Sequence, residues 1–127
     1  MKKTILLLSI VLISGLLSAQ SGTAPKVEPL PEGFKPASTN TFISLYPGVN
    51  PQTRQAIFRV VAPKAESVQL QLGGNHNMKR DENGVWWFTT DPLVVGFHYY
   101  SIAINGVPVM DRGSKAYFGS NWESSGI

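Results

Sequence analysis

From Gln55 onward the apolar positions fall in short runs bounded by turn residues, without the i, i+3, i+4, i+7 spacing of an amphipathic helix. The stretch SVQLQL alternates, placing Val68, Leu70 and Leu72 on one face and Gln69 and Gln71 on the other, the pattern of a half-buried strand. Before it, AIFRVVA is β-prone and ends at Pro63; after it come the turn cluster GGNHN, a short MKR segment and the turn DENG. VWWFTT (85–90), the loop DPLVVG, FHYYSIAI (97–104) and VPVMD (107–111) complete the pattern. Asn83-Gly84 and Asn105-Gly106 are the pairs that supply the positive φ a tight hairpin requires. Five to seven short strands at a spacing of roughly 8–12 residues predict an all-β fold, an immunoglobulin-like antiparallel β-sandwich rather than a closed barrel.

Alternation also assigns faces. Tyr100, Ile102 and Ile104 form the more apolar set of their strand and are expected inward, together with Trp86 and Phe88. Trp87, Phe97 and Tyr99 are then left outward, and a one-residue slip in register would exchange the two sets. Outward rings in this number mark an interaction surface, and flat rings suit the C–H faces of pyranoses. The candidate carbohydrate contacts are therefore Trp87, Tyr99, Phe97 and, nearer the C-terminus, Trp122.

Upstream the pattern is different. Lys2 and Lys3 precede an apolar run from Ile5 to Leu17, and the small residues Ser18 and Ala19 offer a cleavage site. The run is shorter than the roughly 20 residues that cross a bilayer, so residues 1–19 read as a secretory signal peptide, with export to the periplasm or medium expected. Six of the nine prolines lie between residues 20 and 51, which predicts a Pro-rich linker there; Phe42, Ile43, Leu45 and Tyr46 could dock as a short first strand. Residues 52–113 are expected to be the sandwich and 114–127 a C-terminal tail.

Charge changes the picture once the leader is set apart. The chain carries 11 Lys+Arg against 8 Asp+Glu, and two of the lysines belong to the leader, leaving a formal +1. No basic stripe remains to neutralise phosphates, so nucleic acid is not an expected partner, nor is a membrane after cleavage. Cysteine is absent, which rules out disulfides, thiolate metal sites and a cysteine nucleophile. No Gly-x-Ser-x-Gly elbow, His-Glu-x-x-His helix or phosphate-cradling loop occurs. His98 is expected as a hydrogen-bonded sheet residue rather than a general base, and Asp81 and Glu82 as a solvated turn without calcium-loop spacing. No catalytic residue, metal or cofactor is read.

The residues FRVVAPKAESVQL, GVW and PLVVGFHYYSIAINGVPVMD, taken in order, resemble the early-set immunoglobulin-like domain of the family-48 carbohydrate-binding module type. Within that group the likeness is to the domain N-terminal to secreted bacterial esterases of the feruloyl and acetylxylan type, where a tail similar to SKAYFGSNWESSGI leads into an α/β-hydrolase domain. The resemblance covers about residues 50–127. It implies a non-catalytic accessory module of a polysaccharide esterase, present here without its catalytic domain. Starch-binding members carry sugar-contacting Trp, Lys and Trp where this chain has about Met78, Ser101 and Pro108, so an arabinoxylan-like polysaccharide or oligosaccharide is the implied partner rather than starch. Two alternatives stay open: a free-standing carbohydrate-binding protein with Trp87, Tyr99 and Trp122 as its platform, and a structural domain whose rings seat a neighbour.

Overall fold

The computed structural model describes residues 26–119 and 122–127; the expected signal peptide lies outside them. The described residues form strands and turns without a helix. In chain order the strands are β1 (Lys35–Pro36), β2 (Gly48–Val49), β3 (Ala56–Val61), β4 (Val68–Gln71), β5 (Asn75–Asn77) and β6 (Lys79–Arg80). They continue as β7 (Val85–Thr89), β8 (Tyr99–Ile104), β9 (Val107–Val109), β10 (Tyr117–Gly119) and β11 (Trp122–Gly126). One sheet runs β1-β2-β3-β7-β6 and the other β10-β11-β8-β4-β5, with β9 also paired to β8. Every pairing is antiparallel. The fold is an all-β, immunoglobulin-like antiparallel sandwich.

The inward faces are those that alternation assigns. Phe58, Val68, Leu70 and Ile102 are almost fully enclosed, with Trp86 and Tyr100 in the same core and Phe88 and Ile104 packed against it. Phe58 and Tyr100, from opposite sheets, meet edge to face at 5.0 Å, so the two layers interlock through an aromatic pair. The Trp86 indole donates to the Ala62 carbonyl at 2.9 Å, which satisfies its one polar atom inside the core.

Both Asn-Gly turns close hairpins by different means. Asn105 (φ 49°) and Gly106 (φ 81°) are both left-handed, the pair of conformations a two-residue type I′ turn needs between β8 and β9. At the other turn only Gly84 has positive φ (75°), and the Asp81 carboxylate organises the loop by accepting from the amides of Asn83 and Val85.

Two segments depart from the sequence expectation. The described part of the Pro-rich stretch is no linker: β1 and β2 extend the first sheet, and Ala37, Thr39, Asn40 and Tyr46 are buried. Proline there removes donors from an edge, where they are not needed, and the backbone bonds instead to the far end of the chain. Thr41 N donates to Gly113 O and Lys115 N to Thr39 O, both at 2.8 Å, while Asn40 Nδ2 donates to Pro47 O at 2.9 Å. Of the proposed first-strand residues Tyr46 packs, but Phe42 and Ile43 stand in solvent. The tail is not a tail either, since β10 and β11 form a hairpin that joins the second sheet through Ser125↔Tyr100 and Gly126↔Tyr99. The cluster GGNHN, expected as turn, contributes β5 to the edge of that sheet.

Candidate functional site

Register separates the four candidate aromatics. Trp87 pairs with Arg59 on the outer face of the first sheet, whereas Tyr99 faces outward from the second. A single platform made of both cannot form, because the thickness of the sandwich lies between them.

Trp87 is instead enclosed by its own face. Tyr46, brought in by the N-terminal segment, meets its ring edge-on at 5.5 Å, and the Arg59 guanidinium lies 5.5 Å from the ring centroid. Its indole N–H donates to Asp81 Oδ2 at 2.8 Å. That bond, with a second from the Val85 amide, holds the Asp81 carboxyl below the usual carboxylate range. The ring and its polar atom are thus engaged by neighbouring side chains, and the residue is half-buried.

On the second sheet the aromatics cluster. The ring of Phe97 lies 4.9 Å from that of Tyr99 and 4.8 Å from that of Tyr117, each edge to face. These rings clamp the β10–β11 hairpin, because it presents glycine beneath them: a Cβ on Gly119 would overlap the Tyr99 ring, and one on Gly126 the rings of Phe97 and Tyr117. Phe97 and Tyr99 each keep about half of their surface exposed (48% and 46%). Tyr117 had no place among the sequence candidates; its signal, a glycine two residues on, is too common to single it out.

Trp122 is the free ring. It is 68% exposed and pairs with Gly119, next to where Tyr99 lies. β9 and β11 both pair with β8, β11 at Tyr99–Tyr100 and β9 at Ile102–Ile104, so a gap opens between them over Ser101. The resulting groove, about 470 Å³, is lined by Gln71, Ser101, Pro108, Trp122 and Ser124, among others, with Glu123 as its one charged lining residue. On its floor Ser101 Oγ donates to Gln71 Oε1 at 2.7 Å. An apolar wall, an exposed indole and a few hydrogen-bonding groups are what a sugar site requires. Of the three positions where starch-binding members carry contacts, Ser101 and Pro108 line this groove, while Met78 is in the core.

No protein-family model matches the chain. It is 40% identical over 122 residues to the endo-1,4-beta-xylanase/feruloyl esterase of Xylanibacter ruminicola, an alignment spanning 91% of this chain and 16% of that protein. Among solved structures it is similar to the apo pullulanase of Paenibacillus barengoltzii (22% identity, 57% of this chain and 13% of that one, TM-score 0.44). It is also similar to a mutant of that pullulanase complexed with maltotetraose (18% identity, 78% of this chain and 15% of that one, TM-score 0.46). Each of these matches is to a small part of a larger enzyme.

Elsewhere the polar groups serve the fold. His98 exchanges two backbone bonds with Ile127, and its ring nitrogen lies 2.7 Å from Val94 O. Asp111 is half-buried beside Tyr100, whose hydroxyl donates to Oδ2 at 2.8 Å, while Gly113 N donates to Oδ1 at 2.7 Å. Burial pushes the Asp111 carboxyl upward despite these donors, and burial together with the Asp111 charge pushes the Tyr100 hydroxyl up as well. Ser125 Oγ accepts from Asp111 N at 2.8 Å, tying this cluster to β11.

Proposed function

We propose that this domain is a non-catalytic, carbohydrate-associated accessory module of a secreted polysaccharide esterase of the feruloyl or acetylxylan type, related to family-48 carbohydrate-binding modules. Its sugar-contacting surface is the groove between β9 and β11, with Trp122 as the stacking ring, Tyr99 flanking it, and Ser101 and Gln71 supplying hydrogen bonds. Export by the N-terminal leader belongs to this reading, as does an α/β-hydrolase domain as its partner. The observation that carries it is the exposed Trp122 beside a groove lined by apolar and hydrogen-bonding side chains, in a chain with substantial identity to part of a xylanase/feruloyl esterase. A ring that packs on the C–H face of a pyranose gains more than its buried area alone would give, and flanking hydroxyl and amide groups set orientation.

Affinity electrophoresis tests this. The domain is expected to be retarded in arabinoxylan gels more than in starch or glycogen gels, and Trp122→Ala to migrate unretarded. Free migration of the wild type in all three gels contradicts the proposal.

A second reading, a structural domain seated on a neighbour, draws support from apolar loop tips in solvent: Phe42 and Ile43 in one loop, Val94 and Val95 in another. Under that reading an added esterase domain shields those tips while oligosaccharide does not.

A further inference from the structure

The groove does not end at Ser101. Gln71 stands beside Ser101 in register and Asn75 beside Gln71, while Gln69 stands beside Asn77 one step along the same strands. Their inward-pointing neighbours Val68, Leu70 and Ile102 are core, so these five side chains share the outer face of the second sheet. They bond to one another across the strands: Gln69 Nε2 to Asn77 Oδ1 at 2.8 Å, Gln71 Nε2 to Asn75 Oδ1 at 3.3 Å, and Ser101 Oγ to Gln71 Oε1 at 2.7 Å.

Two properties of this row point to a ligand class. First, the bonds fix the side chains without exhausting them. Each amide nitrogen has a second N–H, both asparagine Nδ2 groups are uncommitted within the row, and the Gln69 carbonyl remains an acceptor. A set of donors and acceptors held in place loses little entropy on binding. Second, the row itself contains no charge, Glu123 at the Trp122 end being the one charged residue of the groove it continues, although exposed edge strands ordinarily carry lysine or glutamate against unwanted pairing. Neutral groups that both donate and accept match hydroxyl groups, which do the same. They offer a carboxylate or phosphate no counter-charge to offset its desolvation.

We infer that the amide row is a continuation of the groove, a track for several successive residues of an uncharged glycan chain. The chain runs across the strands from Trp122, past Ser101 and Gln71, to Asn75 on the edge strand. From β11 to β5 is three strand spacings, about 14 Å, long enough for more than two sugar rings. Trp122 supplies stacking, and Gln71 and Asn75 select for chain length and neutrality. This inference rests on the glycan-binding reading of the groove.

Isothermal titration of the whole domain with xylobiose, xylotetraose and xylohexaose, and with xylohexaose carrying glucuronate substituents, tests it. Wild-type affinity is expected to rise with length and to fall when glucuronate is present. Replacing Asn75 and Asn77, on the edge strand outside the Trp122 groove, together by alanine is expected to lower hexaose affinity about tenfold and to leave xylobiose binding as it was. Both side chains are at the surface, so the variant's far-ultraviolet spectrum and melting temperature should match the wild type. If that variant keeps the wild-type dependence on length while Trp122→Ala loses binding, the track is refuted and the groove reading stands. If the wild type binds none of these sugars, nor maltohexaose, the groove reading fails and the track with it.

Discussion

Adjacent tryptophans meet different fates here because successive β residues point to opposite sides of a sheet. Trp86 enters the core, while Trp87 turns outward into a stack built by Tyr46, Arg59 and Asp81. Sequence alone assigns the face of Trp87 and does not show which side chains meet it there. The residue that covers it, Tyr46, lies 41 positions away in a proline-rich stretch with no periodic pattern. Trp87→Ala removes an edge-to-face contact, a cation–π contact and a hydrogen bond to a carboxylate. It should cost about 2 kcal/mol or more of stability and leave sugar affinity unchanged. Urea unfolding beside glycan titration checks this, and lost affinity at intact stability would contradict it.

At the scale of elements, strand periodicity was legible wherever one face is buried and the other wet. SVQLQL and FHYYSIAI are such cases, and the Asn-Gly pairs located the turns before VWWFTT and after FHYYSIAI. β1, β2, β10 and β11 were not legible, for a physical reason. Two of them are two residues long, and the C-terminal hairpin carries Ser and Gly on its buried stretch, where close approach to aromatic rings replaces apolar burial. Trp122, singled out as a ring near the C-terminus, could not be placed without that hairpin. The clamp of Phe97, Tyr99 and Tyr117 over Gly119 and Gly126 fixes where it stands. Gly119→Ala drives a methyl into the Tyr99 ring, and overpacking of this kind costs typically 1–3 kcal/mol. The expected outcome is a lower melting temperature together with weaker glycan binding, because Trp122 moves with the hairpin. An unchanged melting temperature and affinity would show that the clamp does not position it.

For the whole molecule, the N-terminal segment and the C-terminal hairpin are joined through the 111–115 turn, and Asp111 sits at that junction. Its carboxyl is raised by burial, so between the unfolded carboxylate value and the folded one the native state holds a proton that the unfolded chain has released. Stability therefore declines as pH rises through that window. Asp81, held low by Trp87, acts in the opposite sense, but its contribution is already complete above the unfolded value and fades only as pH falls below it. Denaturation midpoints should accordingly fall as pH rises above the ordinary carboxylate value in the wild type and show a flatter profile in Asp111→Asn. Parallel profiles for the two proteins would contradict the assignment to Asp111.

In the proposed mode of binding, glycan meets the outer face of the second sheet and not the first. The chain has three tryptophans, one in the core, one on the first sheet and one at the groove, so their indole N–H resonances report separately. In a titration with arabinoxylan oligosaccharides, the Trp122 resonance is expected to shift saturably while those of Trp86 and Trp87 stay in place. A saturable shift of Trp87 with Trp122 unmoved would contradict it.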